Sequence, residues 1–314
     1  MQLGHMGKAL IAKVSEPANF PSRLAVSRQA ITTSFSAQDL PIGVFDSGVG
    51  GLTVLKALQR QLPQESFVYF GDTARVPYGT RSQAEILTFA REILTWMAHY
   101  PVKMAIMACN TSSALALDIV RSEFDLPILG VILPGARAAV RQGQRIGVIA
   151  TPATVASGSY EQAILEINPT VHVHQVGCPE FVPLIEANQI EQPQTFETVR
   201  SRLAPLIEDE IDTLIYGCTH YPHLESVIHP LLPASVHHVN PAIHIARAAA
   251  QELELLNLKT HLHRPTNQFY VSGDPAYFAH LSQRWLGFLP TVAPLVLPSV
   301  EVEVPEESVE NVLM

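Results

Sequence analysis

The sequence predicts an α/β fold of two similar domains, each with a central, mostly parallel sheet, related by pseudo-two-fold symmetry and enclosing the functional site in the cleft between them. Segments with helical spacing, most clearly 52–62 and 82–98, alternate with short apolar runs. The runs are rich in β-branched residues and end in small or polar ones, which is typical of buried parallel strands. They are 42–45, 67–70, 104–108, 128–131, 146–150, 171–176 and 213–216.

An internal repeat supports two similar halves. Ile-Gly-Val begins a predicted strand at 42–44 and again at 146–148. Cys109 and Cys218 likewise each follow a predicted strand, and almost the same length of chain separates both pairs. Because α/β sheets bind ligands at the carboxyl ends of their strands, we expect each half to place one thiol at such an end.

The chain divides into two domains and two terminal segments. We expect an extension at 1–40, a first domain made of 41–133 and 241–295, a second domain at 134–240, and an acidic tail at 296–314. The extension has few acidic residues and scattered Ser, Arg and Lys, without the order of a secretory signal. A disordered segment, a start codon placed too early and a transit peptide all fit this composition.

Composition and charge restrict the partner. Of the 314 residues, 47% are apolar and 16% are charged, a globular balance, and the net charge is −9. An acidic chain without a Lys/Arg cluster is not expected to bind nucleic acid, and no run approaches the roughly 18 apolar residues of a membrane helix. Three cysteines do not make a disulfide framework, so a reducing compartment fits. We expect a cytoplasmic protein with a small-molecule partner and no membrane.

The sequence also predicts that the chemistry needs no metal and no cofactor. The 13 histidines are too scattered for a tetrahedral Cys/His site. A pyridoxal enzyme needs a lysine for its Schiff base, and Lys56, Lys103 and Lys259 do not follow strands among polar residues. The reacting groups are therefore expected to be side chains.

The first candidate is Cys109, which precedes the helix-capping residues Asn110 and Thr111. A thiol at a helix N-terminus meets free N–H groups and the positive end of the dipole, so we expect its pKa to fall from about 8.5 toward neutrality. Asn110 and Thr111 also offer hydrogen-bond donors to a carboxylate. A small, inert buried thiol explains the same local pattern equally well.

The second candidate is Cys218-Thr219-His220, which repeats this arrangement at the end of the strand 213–216. His220 is close enough in sequence to tune proton transfer at the thiol. A histidine that only caps a helix is the alternative, but Cys-Thr-His at a strand end favours a functional role.

A glycine-rich loop follows Asp46-Ser47 and leads into a predicted helix. It is not a dinucleotide loop because Thr53 stands where the third glycine belongs, and it has no Gly-Lys-Ser/Thr for a phosphate loop. Its N–H groups can still hold a carboxylate. Asp46 is either a helix cap or a group that accepts a proton or orients a base.

Four further residues are weak candidates by themselves. Tyr78, Gly79 and Thr154 supply hydroxyl or N–H groups near strand ends, and Glu186 ends an apolar run. A solvated helix residue explains Glu186 as well as a functional one does. These four gain weight only from a wider pattern.

That wider pattern consists of seven segments in order: 42–54, 69–82, 108–113, 130–136, 178–186, 216–224 and 272–275. Together they resemble glutamate racemases, within the aspartate/glutamate racemase superfamily. The Asp-Ser-Gly-Val-Gly-Gly loop and the His after Cys-Thr are similar to the glutamate branch. The resemblance covers nearly everything but the two ends.

The resemblance implies a cofactor-independent racemase that interconverts L- and D-glutamate and supplies D-glutamate for peptidoglycan. Cys109 would act on the D-enantiomer and Cys218 on the L-enantiomer, with Asp46, His220 and Glu186 assisting proton transfer. The implied substrate-binding residues are Ser47, Tyr78, Gly79, Asn110, Thr111, Thr154 and Thr219.

The resemblance also bears on assembly and connectivity. It implies a possible homodimer, a crossing into the second domain at 134–136 and a return at 240–242. The family commonly has Asp where Asn240 stands, a departure that looks peripheral.

Two other functions compete with a two-base racemase. A cysteine hydrolase would use Cys218 and His220 through a thioester and would not need Cys109. A non-catalytic module of the same fold would bind an amino acid without exchanging its α-proton. Two thiols at matching strand ends favour the racemase over both.

Overall fold

Within residues 36–261 and 265–299, the parts of the chain that the computed structural model describes, ten strands form two sheets. The predicted extension lies outside the described residues up to position 35, and the acidic tail does so from position 300. The strands are β1 (Ile42–Asp46), β2 (Phe67–Gly71), β3 (Met104–Met107), β4 (Ile128–Gly130), β5 (Arg145–Ala150), β6 (His172–Gly177), β7 (Thr213–Gly217), β8 (His237–Val239), β9 (Asn267–Val271) and β10 (Val292–Pro294).

Helices separate most of these strands, as the alternating pattern predicts. They are α1 (Leu52–Gln61), α2 (Gln83–His99), α3 (Asn110–Val120), α4 (Ile132–Val140), α5 (Pro152–Ala156), α6 (Ser159–Ile167), α7 (Phe181–Glu186), α8 (Pro193–Glu208), α9 (Glu225–Ile228), α10 (Pro241–Leu255) and α11 (Pro275–Leu286). None of these helices is long and apolar enough to cross a membrane. The predicted α/β class is confirmed.

Four neighbouring strands of the larger sheet follow the same order as the four strands of the smaller sheet. The larger sheet runs β10-β9-β2-β1-β3-β4 and the smaller one runs β6-β5-β7-β8. Every pairing is parallel. In each half the first strand therefore lies between the second and the third, and the third is the strand that Cys109 or Cys218 follows. The larger sheet takes strands from 42–130 and 267–294, the smaller one from 145–239. The domain limits themselves stay a prediction.

The seven predicted strands and both predicted helices match the observed ones within one residue at each end. The strands could be predicted because a strand covered on both faces needs a continuous apolar run. Strands β1, β2, β3 and β7 are indeed buried along their whole length. Helix α2 begins at a capping box between Ser82 and Glu85. Strands β8, β9 and β10 were not predicted, because they are short, lie at or near sheet edges and carry exposed or half-exposed residues.

Two helices connect the halves. Helix α4 leads from the larger sheet to the smaller one, and α10 returns to pack on α1 and α4. The two approach closely at Gly135, where a side-chain carbon would lie 3.1 Å from the ring of Pro241. Asn240 caps α10 by accepting a hydrogen bond from Ala242 N at 3.0 Å. Asn and Asp cap helices equally well, so this departure from the family pattern costs nothing.

The described fold begins before position 41. Residues Ala37–Asp39 form a short 3-10 turn, and Lys103 Nζ donates a hydrogen bond to Gln38 O at 2.6 Å. Lys103 is itself buried and pairs with Glu65. The last residues of the predicted extension are therefore held against the larger sheet.

Candidate active site

A cavity of about 250 Å³ opens where the carboxyl ends of strands from both sheets face each other. Both thiols reach it, Cys109 after β3 and Cys218 after β7. All the predicted site residues line the cavity except Asp46 and Thr154: Ser47, Tyr78, Gly79, Cys109, Asn110, Thr111, Glu186, Cys218, Thr219 and His220. Residues far apart in the chain thus share one small space.

Cys109 occupies the N-cap position of α3 but its thiol does not behave as the local sequence predicts. Burial raises the pKa of Cys109, and the carboxylate of Asp46 raises it further, to about 12. The N–H groups of Ser112 and Thr111 act in the opposite direction. The expected fall toward neutrality is wrong because removal from water outweighs the helix terminus. Cys109 therefore keeps its proton at neutral pH.

Cys218 belongs to a chain of three polar groups. Its Sγ lies 3.8 Å from His220 Nδ1, and His220 Nε2 lies 3.1 Å from Glu186 Oε1. Burial by itself lowers the pKa of His220, but its hydrogen bonds with Cys218 and Glu186 and the charges of Cys218 and Asp46 raise that pKa to about 10. His220 is therefore an imidazolium at neutral pH, held between a sulfur and a carboxylate.

Asp46 lies behind the cavity wall rather than on it. It is fully buried, and its Oδ2 accepts a hydrogen bond from Gly48 N at 3.0 Å. Within the described residues its Oδ1 has no hydrogen-bond partner. Burial raises the pKa of Asp46, while the charge of His220 and the N–H groups of Gly48 and Gly51 limit the rise. Its charge acts on both Cys109 and His220, so Asp46 links the two sides of the site.

The glycine loop is held in place by contacts with the residues around the site. Tyr69 donates its hydroxyl proton to Gly48 O at 2.6 Å, which anchors the loop to β2. A side-chain carbon on Gly50 would lie 2.5 Å from Thr219 Oγ1 and closer still to the ring of His220. This face of the loop is therefore filled by the segment that carries Cys218.

Three threonine hydroxyls meet on the side of the smaller sheet. Thr111 Oγ1 lies 3.0 Å from Thr151 Oγ1 and 3.2 Å from Thr154 Oγ1, and the last two are 3.0 Å apart. Thr111 and Thr151 line the cavity, whereas Thr154 is fully buried behind them. Thr154, which the resemblance implies as a substrate-binding residue, lies behind Thr151, because Thr151 is the N-cap residue of α5 and Thr154 lies one turn inside.

The side chain of Asn110, a hydrogen-bond donor at the cavity, is oriented by a residue behind it. Tyr160 donates its hydroxyl proton to Asn110 Oδ1 at 2.6 Å, so the amide N–H₂ of Asn110 is left for the cavity. Among the described residues that line the cavity none is Lys or Arg, and His220 carries the positive charge there. An anionic ligand would be held by neutral hydroxyl, amide and N–H donors together with that imidazolium.

Several lining residues were not singled out from the sequence. Thr151 had a usable signal, a Thr-Pro pair after a strand, which is an N-cap followed by Pro at the first helical position. Cys178 and the apolar residues Pro179, Val182 and Pro183 had none, since nothing local shows that α7 packs over the cavity. These residues form an apolar wall of the cavity.

The described residues contain no group of three or more His, Cys, Asp or Glu side chains placed to hold a metal ion. The arrangement consists instead of one protonated thiol, one thiol beside an imidazolium, and neutral donors between them.

Comparison with known proteins identifies the group. The sequence profile of the Asp/Glu/Hydantoin racemase family matches residues 42–253. A glutamate racemase of Nostoc sp. is 62% identical over 272 residues, covering 85% of this chain and 93% of the relative. The chain belongs to the Asp/Glu/Hydantoin racemase family. The resemblance read from the seven segments is confirmed.

Solved structures of family members agree in fold. Glutamate racemase RacE1 of Bacillus anthracis has a TM-score of 0.81 at 38% identity, over 82% of this chain and 98% of that one. The glutamate racemase of Francisella tularensis in complex with D-glutamate has a TM-score of 0.78 at 35% identity, again over 82% and 98%. The described fold is therefore the racemase fold.

Proposed function

We propose that this racemase-family chain is a glutamate racemase that interconverts L- and D-glutamate without a cofactor, using two cysteine thiols. The observation that carries the proposal is that Cys109 and Cys218, from corresponding strands of two sheets, line one small cavity. The relatives that are named glutamate racemase support glutamate as the substrate. The product D-glutamate would supply bacterial peptidoglycan.

The two thiols have surroundings that suit an acid and a base on opposite sides of the substrate. Cys109 holds its proton, since its pKa is about 12, and the His220 imidazolium lies 3.8 Å from the sulfur of Cys218. Cys218 then removes the α-proton of L-glutamate while Cys109 donates a proton to the opposite face. The resulting exchange inverts the α-carbon without turning the substrate over.

The hydrogen-bond donors around the cavity can stabilise the carbanion that forms when the α-proton is removed. An α-C–H bond is a very weak acid, so the carbanion needs oriented dipoles in a water-poor site. Asn110, Thr111, Thr151 and Thr219 place amide and hydroxyl groups there, and the His220 cation lies beside Cys218. A cysteine hydrolase would use Cys218 and His220 but would leave Cys109 and its shared cavity without a role.

The experiment that tests the proposal is α-proton exchange in deuterated water, followed by NMR and polarimetry. We expect both L- and D-glutamate to lose the α-proton signal and to converge on a racemic mixture. Stabilisation of the protein by glutamate with no exchange would indicate a binding module. A thioester intermediate would indicate a hydrolase.

The substitution Glu186→Gln should shift the pH profile in a defined direction. The hydrogen bond with Glu186 is one of the contacts that raise the pKa of His220 to about 10. With glutamine this pKa falls, so the imidazolium is lost at lower pH. We therefore expect the alkaline limb of kcat/KM to lie near pH 10 in the wild type and to move toward neutrality in Glu186→Gln.

The matched control for that prediction is Glu225→Gln, which removes an exposed carboxylate that pairs with His229 outside the site. It should leave the limb unchanged. An unshifted limb in a folded Glu186→Gln protein would contradict the coupling of Glu186 to His220.

A further inference from the structure

One wall of the cavity is a segment without a long helix or strand of its own. Residues 76–80 all line the cavity, and their only regular structure is the 3-10 turn Tyr78–Thr80. Gly79 reaches across to the smaller sheet, where a side-chain carbon would lie 2.8 Å from Thr151 Cβ. A short loop with so little regular structure depends on contacts with its neighbours to keep its place at the cavity.

The buried carboxylate of Asp72 provides that support. Asp72 is fully buried directly after β2. Its Oδ2 accepts hydrogen bonds from Arg75 Nε at 2.6 Å and from the hydroxyl of Tyr78, and its Oδ1 accepts one from Ser272 Oγ at 2.7 Å. The carboxylate therefore joins Arg75, directly before the loop, and Tyr78, within it, to Ser272, which directly follows β9.

The contacts around Tyr78 show how the loop is held. The ring of Tyr78 packs against Phe89, with centroids 5.5 Å apart, and Arg75 lies over the same Phe89 ring at 4.1 Å. Arg75 also pairs with Glu92 on α2. Because the Tyr78 hydroxyl proton is given to Asp72, this loop can offer a substrate its backbone N–H groups but not that proton.

The segment 272–275, conspicuous in the sequence, is the second half of the support. Ser272 Oγ also accepts a hydrogen bond from Ala74 N at 3.0 Å, and Gly273 N donates one to Thr73 Oγ1 at 3.1 Å. A side-chain carbon on Gly273 would lie 2.6 Å from that same Oγ1, so glycine permits the approach.

We propose that Asp72 and Ser272 are positioning residues that hold the loop 76–80 against the substrate and so set its affinity. The proposal rests on the glutamate racemase function but concerns binding. Neither residue lines the cavity, and the two thiols are held by β3 and β7, which do not include this loop. Loop contacts made equally to substrate and transition state affect KM and leave kcat unchanged.

The test compares Asp72→Asn, Tyr78→Phe, the double variant and Ser272→Ala. We expect Asp72→Asn and Tyr78→Phe each to raise KM for both enantiomers about tenfold, with kcat within about threefold of wild type. The double variant should be no worse than Asp72→Asn, because the hydrogen bond that Tyr78→Phe removes is already lost with the Asp72 carboxylate. Ser272→Ala should raise KM about threefold. It provides a second test of the support if Asp72→Asn does not fold.

Calorimetric titration with racemic glutamate measures binding without catalysis, since racemisation of a racemic mixture gives no net heat. It therefore tests this proposal separately from the proposed racemase activity. The dissociation constant should rise with KM in each variant, whether or not the protein racemises. The control Asn240→Ala removes the N-cap of α10, where Asn240 accepts a hydrogen bond from Ala242 N, at a residue that does not line the cavity. It should lower stability but not affinity.

The proposal fails if folded Asp72→Asn and Ser272→Ala bind glutamate as tightly as wild type. It also fails if kcat falls while KM is unchanged, or if the effects of Asp72→Asn and Tyr78→Phe simply multiply. Unchanged thermal melting with weakened binding would support it most directly.

Discussion

Replacing either Cys109 or Cys218 by alanine should abolish racemisation of both enantiomers, with a loss in kcat of at least about 10³-fold. The reason is geometric. Each thiol follows a strand of a different sheet. In the proposed mechanism each serves one face of the substrate, so neither can replace the other. The measurement is the approach of L- and D-glutamate to a racemic mixture, followed by circular dichroism.

The chain contains its own control in Cys178, the third buried thiol of the cavity wall. Its Sγ faces Val176 O at 3.6 Å rather than a titratable partner. Cys178→Ala should therefore retain kcat within about threefold, allowing for some loosened packing. Comparable losses in all three variants would mean that the cavity is merely sensitive to packing.

A reaction that needs only one base would further distinguish Cys109 from Cys218. An analogue with a leaving group next to the α-carbon can eliminate once a single base removes the α-proton. Cys109→Ala retains the base assigned to the L-enantiomer, and Cys218→Ala the one assigned to the D-enantiomer. Each variant should therefore process one enantiomer of the analogue, and full racemase activity in either would overturn the two-base account.

The second large effect should come from a single methyl group on the glycine loop. In Gly50→Ala the new carbon would overlap the ring of His220 and lie 2.5 Å from Thr219 Oγ1. His220 must then move away from Cys218, and a displacement of about 1 Å at a reacting group can cost about 10²-fold. We expect kcat to fall by that order, with a modest loss of stability from overpacking.

Gly48→Ala is the matched control two residues away. Its new carbon would find Val76 Cγ2 at 3.9 Å and Glu186 Oε1 at 4.0 Å, which are ordinary contacts. The N–H that it donates to Asp46 is retained. This variant should keep at least about half of the activity, as steady-state kinetics on both enantiomers would show. Equal losses at the two positions would contradict the steric explanation.

Much of the fold was predictable because its signals are local. A strand covered on both faces must be continuously apolar, and a helix must begin at a capping group, so β1, β3 and α2 could be located within a residue. The short edge strands β8 and β10 were missed, since a half-exposed strand of three residues carries no such pattern.

The site divides in the same way. Cys109 and the segment Cys218-Thr219-His220 stand at strand ends that can be recognised locally, and the family resemblance added Glu186 and Ser47. Thr154 was implied as a substrate-binding residue, and the structure places Thr151, one turn earlier in the same short helix, on the cavity wall in front of it.

By itself the sequence predicted the α/β class, two similar halves and, in each half, a thiol that follows a strand. Only the tertiary structure decided that Cys109 keeps its proton, since burial and the charge of Asp46 outweigh the helix terminus that the local sequence shows. It also brought Ser272 onto Asp72 across 200 positions of chain. Solvent exclusion and charge depend on neighbours that are distant in sequence, and no local pattern carries that information.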